Sequence, residues 1–279
     1  MSTTRDPTEG PFASRITIAQ IQEALLPDVI DLPQITDVTF DVVYEAAPDE
    51  ENFGGDWYKV QSVAKFPDSH DPGRQLLGIS LGDVAGHGMV AALVMVQVAQ
   101  ALLAAMLEEY VPPSAVLSKV NQMLNRRPSN PIVTAIFGYL DVRESTFEYA
   151  AAGQMPPLWV SREGHAEYLP SSGIPLCVES QLITSDQKTE MPPGSTIVLF
   201  SDGLVEHPDR DIVKSLEQLR QIAAEECPKF KPRPARDIYN HMWPRGTTRV
   251  DDVAILTFTM KNKVDVTPKA IRAKRPPKG

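Results

Sequence analysis

Cysteine is almost absent from this chain. Cys177 and Cys227 are the only two, far apart and in no metal-binding spacing. That excludes a disulfide framework and a thiolate metal site, and it fits a reducing cytoplasm. Positive charge is also scarce, with a net charge of -9 and no arginine-rich stripe or aromatic-basic interleave in the body. General nucleic-acid binding is excluded on that ground. The opening MSTTRDPTEGPF has no apolar core, so no signal peptide is expected. Gly82 to Gly88 lacks a Gly-Lys-Ser/Thr ending and is no P-loop, and Ser201 lacks the Gly-x-Ser-x-Gly elbow of a serine hydrolase. No period of 20 to 50 residues recurs, which excludes a repeat protein. One long uncharged run exists, Met89 to Leu107. Gln97 and Gln100, abundant alanine and the lack of a basic flank make it a buried helix and not a membrane span.

What is present reads as a soluble globular protein, 42% hydrophobic and 23% charged, with material for a substantial core. Residues 1–13 are expected to be disordered. Ser14 to Leu26 (SRITIAQIQEALL) predicts an amphipathic helix in a segment, 14–35, that leads into the main domain. Ile16, Ile18, Ile21, Leu25 and Leu26 share its apolar face, and Pro27 ends it. The main domain is expected over 36–260. The tail, 261–279, carries seven Lys or Arg against one acid and reads as a flexible extension.

Strands are expected at Val38–Tyr44, Asp56–Val63, Leu76–Gly82, Val133–Asp141, Thr146–Ala151, Pro157–Val160, Ala166–Leu169, Thr196–Ser201 and Val253–Met260. Helices are expected at Met89–Leu107, Ser114–Asn125 with Ser114 as cap, Ile212–Glu226 and Ala235–Met242. Strands at both ends of the chain around a helical middle describe one α+β domain with antiparallel hairpins.

Four acids stand at strand edges, mostly beside glycine: Asp56 in GGD, Asp83 in GDV, Asp202 in SDG, and Asp251 with its neighbour Asp252. Burying a carboxylate is costly unless a cation or hydrogen bonds compensate it. Each alone reads as a turn residue. Together they match the oxygen ligand set of hard divalent cations, which in pairs activate a bridging water for displacement at phosphorus. His87, between two glycines near Asp83, reads either as a proton donor to a leaving oxygen or as a turn histidine orienting its loop.

The stretches FGGDWY, GDVAGHG, AAGQMPPLW, LFSDGLVE and RVDDVAIL occur in that order. They resemble the motifs of the PPM family of metal-dependent protein phosphatases, in its bacterial SpoIIE-type branch. AQIQEALLP resembles the helix that leads into that domain. The resemblance runs from about residue 16 to 260. It implies an α-β-β-α sandwich, two stacked antiparallel β-sheets flanked by helices, and two Mn2+ or Mg2+ ions. Asp56, Asp83 and the Val84 carbonyl would serve the metals from one side, Asp202 and Asp251 from the other, with Asp252 ranked below Asp251. Gly55 and Gly82 would let backbone approach the site. The implied reaction is hydrolysis of phosphoserine or phosphothreonine on an anti-sigma-factor antagonist of STAS-like type, with Asp56, Asp83 and His87 as catalytic residues.

Two residues depart from the family pattern. Lys59 stands where a second acid follows GGDWY, and Gln154 where the family has Ala-Gly-His. They motivate an alternative, a regulatory binding module of the same fold with weak or no catalysis. The Ser14–Leu26 helix is expected to serve a homodimer or an activator protein, since its apolar face exceeds what a terminal helix leaves wet.

Overall fold

The computed structural model describes residues 35–47, 54–63, 75–86, 88–126, 131–207, 209–229, 233–247, 249 and 251–261. The expected helix Ser14–Leu26, the basic tail beyond Lys261, the turn PDSHDPGR and His87 lie outside the described residues. Strands form where β-branched and aromatic residues cluster between turns. They are β1 (Val38–Glu45), β2 (Trp57–Ser62), β3 (Leu76–Val84), β4 (Val133–Asp141), β5 (Thr146–Ala152), β6 (Leu158–Val160), β7 (Ala166–Tyr168), β8 (Gln187–Glu190), β9 (Thr196–Phe200) and β10 (Val253–Met260). Helices are α1 (Met89–Leu107), α2 (Pro113–Leu124), α3 (Ile212–Glu226) and α4 (Pro234–Met242).

Among the described residues the strands make two five-stranded antiparallel sheets, ordered β1-β10-β9-β6-β7 and β2-β3-β4-β5-β8. Apolar side chains fill three layers. Leu77, Ile79, Leu81, Leu199, Leu256 and Phe258 pack between the sheets. Trp57, Met95, Leu102 and Phe137 pack under α1 and α2, and Phe200, Leu219, Ile238 and Ile255 under α3 and α4. The result is the expected α-β-β-α sandwich. It explains why β3, β4, β9 and β10 are apolar almost throughout: both faces of each are buried.

The long uncharged run is α1, and it packs one side on β2 and β3. Val94, Met95, Val98 and Leu102 are buried, while Val90 and Leu93 on the other side are 71% and 53% exposed. The helix is long and apolar enough to cross a membrane, yet its inner face belongs to the core.

Two local details differ from expectation, and a third could not be read from the sequence. Helix α2 begins at Pro113, and Ser114 is not its cap. Pro113 supplies the first-turn φ without needing an N–H partner. Ser114 instead donates N–H and Oγ–H to the two oxygens of Asp186, each at 2.7 Å. Strand β8 was not expected, because QKTE has no apolar face. It pairs with β5 at a sheet edge, where a polar strand is tolerated. Helix α4 lacks a cap from its own chain segment, and Asp41 of β1 supplies one, accepting from Ala235 N–H at 2.9 Å.

Candidate functional site

The register of the two sheets brings five chain segments to one end of the sandwich. The end of β1 pairs with the start of β10, Glu45 opposite Val253, and the end of β9 lies beside them. In the other sheet Trp57 at the start of β2 faces Gly82 near the end of β3. The loop ends carrying Asp56, Asp83, Asp202, Asp251 and Asp252 therefore meet, although they are spread over almost two hundred residues of sequence.

Asp56 is buried at 1% exposure and accepts a hydrogen bond from Ser201 Oγ at 2.7 Å, which ties one sheet to the other. Ser201 Oγ in turn accepts from Ala254 N–H at 2.9 Å. Asp252 is buried, and its Oδ1 accepts from Ala47 N–H at 2.7 Å. Asp251 is exposed, and its Oδ1 accepts from the Asp252 N–H at 2.8 Å. Asp202 opens a short 3-10 turn, its carbonyl accepting from the N–H groups of Val205 and Glu206 at 2.8 Å.

These carboxylates crowd one another. Burial, followed by the charge of Asp83, pushes the Asp56 carboxyl well above its ordinary range. Burial and then the charges of Asp202, Asp251 and Asp252 push Asp83 up to about 7. Burial, then Glu206 and Asp251, push Asp202 up to about 6, and burial raises Asp252 as well. Such a centre holds protons or attracts a cation.

Among the described residues no group of three or more His, Cys, Asp and Glu side chains could by itself hold a metal ion. The donor set nevertheless suits Mg2+ or Mn2+, because such ions keep several waters and take one or two carboxylates each. Gly55 supplies the geometric fit. A Cβ there would run into the Val84 carbonyl and come within 2.6 Å of Asp83 Oδ1, so the missing side chain leaves a cradle lined by both oxygens. Asp83 and the Val84 carbonyl are thus brought together beside Asp56. Gly82 behaves otherwise: a Cβ there would strike the Trp57 ring and the Thr134 carbonyl, so its bareness serves sheet packing.

The two departures from the family pattern are accounted for locally. Strand alternation places Lys59 on the face of Trp57, which packs under α1, and opposite to Tyr58, which packs between the sheets. Gln154 is buried and donates from Nε2 to the Phe200 carbonyl at 2.9 Å, bracing the segment that carries Ser201 and Asp202. Residues that sequence reasoning passed over are Ser201, dismissed there as a nucleophile but a donor to Asp56; Glu206, whose charge acts on Asp202; and Tyr44, whose hydroxyl lies with Asp252 Oδ2 over Gly54. Only the position of Ser201 immediately before Asp202 hinted at any of them.

A sandwich of two antiparallel sheets whose paired ends gather acids in this way is the PPM phosphatase fold. A family model described as Stage II sporulation protein E (SpoIIE) matches residues 73–261, more than half of the chain, and the chain belongs to that family. The phosphoserine phosphatase RsbU of Bacillus subtilis (strain 168) is 24% identical over 171 residues, 61% of this chain and 51% of the relative. The solved RsbU and RsbW domains of a Mycobacterium tuberculosis protein superpose with a TM-score of 0.70 at 27% identity, over 82% of this chain and 62% of that one. RsbX, solved in complex with magnesium, shares the fold with a TM-score of 0.60 at 17% identity, over 82% of this chain and 98% of that one. The chain thus spans about half the length of the curated relative it matches.

Proposed function

We propose that this chain is a cytoplasmic Mn2+- or Mg2+-dependent phosphatase that hydrolyses phosphoserine or phosphothreonine on a regulatory protein. The substrate class is an anti-sigma-factor antagonist of STAS-like type, the kind of partner that SpoIIE-branch membership implies. The observation that carries the reading is the convergence of Asp56 and Asp83 from one sheet with Asp202, Asp251 and Asp252 from the other, as carboxylates raised first by burial and then by one another's charges. Asp56, Asp83 and the Val84 carbonyl would hold metal on one side, Asp202 and Asp251 on the other. When bound, the metals supply an activated water and neutralise charge on the phosphoryl oxygens.

The chain's own residues do the rest. Ser201 keeps one oxygen of Asp56 engaged, so the carboxylate is fixed in direction. The bare Gly55 keeps Val84 O and Asp83 accessible together. Asp202, on its short turn, presents its side chain from the facing sheet. His87 remains a proposed proton donor to the leaving serine oxygen, and the Ser14–Leu26 helix a proposed contact for an activator or a second copy.

The test is hydrolysis of p-nitrophenyl phosphate with Mn2+, with Mg2+ and with EDTA, for the wild type and Asp83→Ala. Metal-dependent turnover lost in the mutant is the expected result. Full activity in EDTA or in the mutant rejects the reading.

A further inference from the structure

Tyr44 ends β1 one residue before its last position, beside the start of β10. Its Oη is shut off from solvent and has no hydrogen-bond partner among the described residues. A buried hydroxyl without a partner is costly and calls for an explanation. Its neighbours are acceptors. Burial first, then the charges of Asp252, Asp56 and Asp83, raise the phenol far above its ordinary range.

Asp252 is the acceptor the geometry selects. Its Oδ1 is already taken by Ala47 N–H at 2.7 Å. Its Oδ2 faces the space over Gly54, and a Cβ at that glycine would collide with both Asp252 Oδ2 and Tyr44 Oη. The hydroxyl and Asp252 Oδ2 therefore both lie over the bare Gly54. Tyr44 and Ala47 belong to one short segment, and that segment is itself clasped. The Arg249 guanidinium donates to the carbonyls of Glu45 and Ala46, each at 2.8 Å. Asp252 is coupled onward, since its N–H donates to Asp251 Oδ1 at 2.8 Å.

We propose that Tyr44 is a positioning residue of the carboxylate centre, donating from Oη to Asp252 Oδ2 when a divalent cation is bound and so orienting the Asp252–Asp251 pair toward it. The inference rests on the metal-dependent reading above and adds a residue to it. Side chains that orient metal ligands in this way alter affinity by about 10- to 100-fold when removed.

The experiment is Tyr44→Phe in the full chain, with Mn2+ binding measured by titration calorimetry and thermal unfolding measured in EDTA. Tyr149→Phe is the control, because Tyr149 is a buried tyrosine whose hydroxyl donates to the Pro170 carbonyl at 2.8 Å, outside the site. Tyr44→Phe is expected to weaken Mn2+ binding about 10- to 100-fold while the melting temperature in EDTA stays level or rises, since Oη makes no hydrogen bond among the described residues of the metal-free protein. Tyr149→Phe is expected to do the reverse, lowering the melting temperature at unchanged affinity. Wild-type affinity retained in Tyr44→Phe overturns the inference alone. A lower melting temperature of Tyr44→Phe in EDTA overturns it too, by making the role structural. A wild-type protein that binds no Mn2+ overturns the metal reading and this inference with it.

Discussion

Ser201 Oγ donates to Asp56 Oδ2 at 2.7 Å, across 145 positions of sequence and from one sheet of the sandwich to the other. The same oxygen accepts from Ala254 N–H. One hydroxyl thus pins the most buried acid of the site to the sheet that carries the opposing acids.

Ser201→Ala removes both bonds and leaves a buried carboxylate and a buried N–H without that partner. A loss of roughly 1–3 kcal/mol in stability is expected for such a change. Denaturant unfolding with and without Mn2+ measures it, and a variant as stable as wild type with full turnover would show the bridge to be incidental.

Asp83→Asn and Asp202→Asn are expected to abolish turnover of a phosphoserine substrate and to raise stability in EDTA. Each removes a carboxylate that burial and like charges raise, to about 7 and about 6 respectively. A gain of roughly 1–2 kcal/mol corresponds to a few degrees in melting temperature for a domain of this size. Lower stability of both variants in EDTA would contradict the crowding described here.

The pH dependence follows from the same shifts. Asp83 and Asp202 are raised in the folded protein, so between the ordinary carboxylate value and about 7 the folded state binds more protons than the unfolded one. Stability without metal therefore falls as pH rises through that window, and the contribution of protonation is gone above it. Melting curves from acid to alkaline pH in EDTA are expected to slope downward, and Mn2+ to flatten the slope by replacing the protons. A metal-free protein that gains stability from pH 5 to pH 8 would refute this.

Gly55→Ala places a methyl against the Val84 carbonyl and Asp83 Oδ1. The carbonyl belongs to a central strand and cannot swing aside. A cost of about 1–3 kcal/mol is expected from overpacking, with Mn2+ affinity reduced more than stability. Calorimetric titration beside a thermal melt separates the two effects.

The order of elements was legible because both signals are local. Apolar runs of strand length between Gly/Pro turns located β3, β4, β9 and β10, and 3.6-residue periodicity located the helices. Strand β8 was missed because a four-residue polar edge strand is defined by its partner β5 and by nothing in QKTE itself. Ser114 was misjudged as a cap because a nearby proline supplied the helix start and Asp186, distant in sequence, claimed its donors.

The acids of the site were legible as residues at strand ends next to glycine. Their unequal standing was not. Asp252 is buried and held by Ala47 N–H, while Asp251 beside it is exposed, and adjacent positions in a sequence carry no sign of that difference. The place of Lys59 was readable in principle, since strand alternation alone sets it on the face of Trp57.

By itself the sequence determined which side chains are acidic, where strands and helices run, and that both faces of the central strands must be covered. Only the tertiary structure decided that the start of β2 and the end of β3 lie against the end of β9 and the start of β10. That meeting depends on burying Leu81, Leu199 and Leu256 between the sheets, a cooperative packing of segments far apart in the chain. It is this stacking that turns five scattered aspartates, one serine and one tyrosine into a single centre.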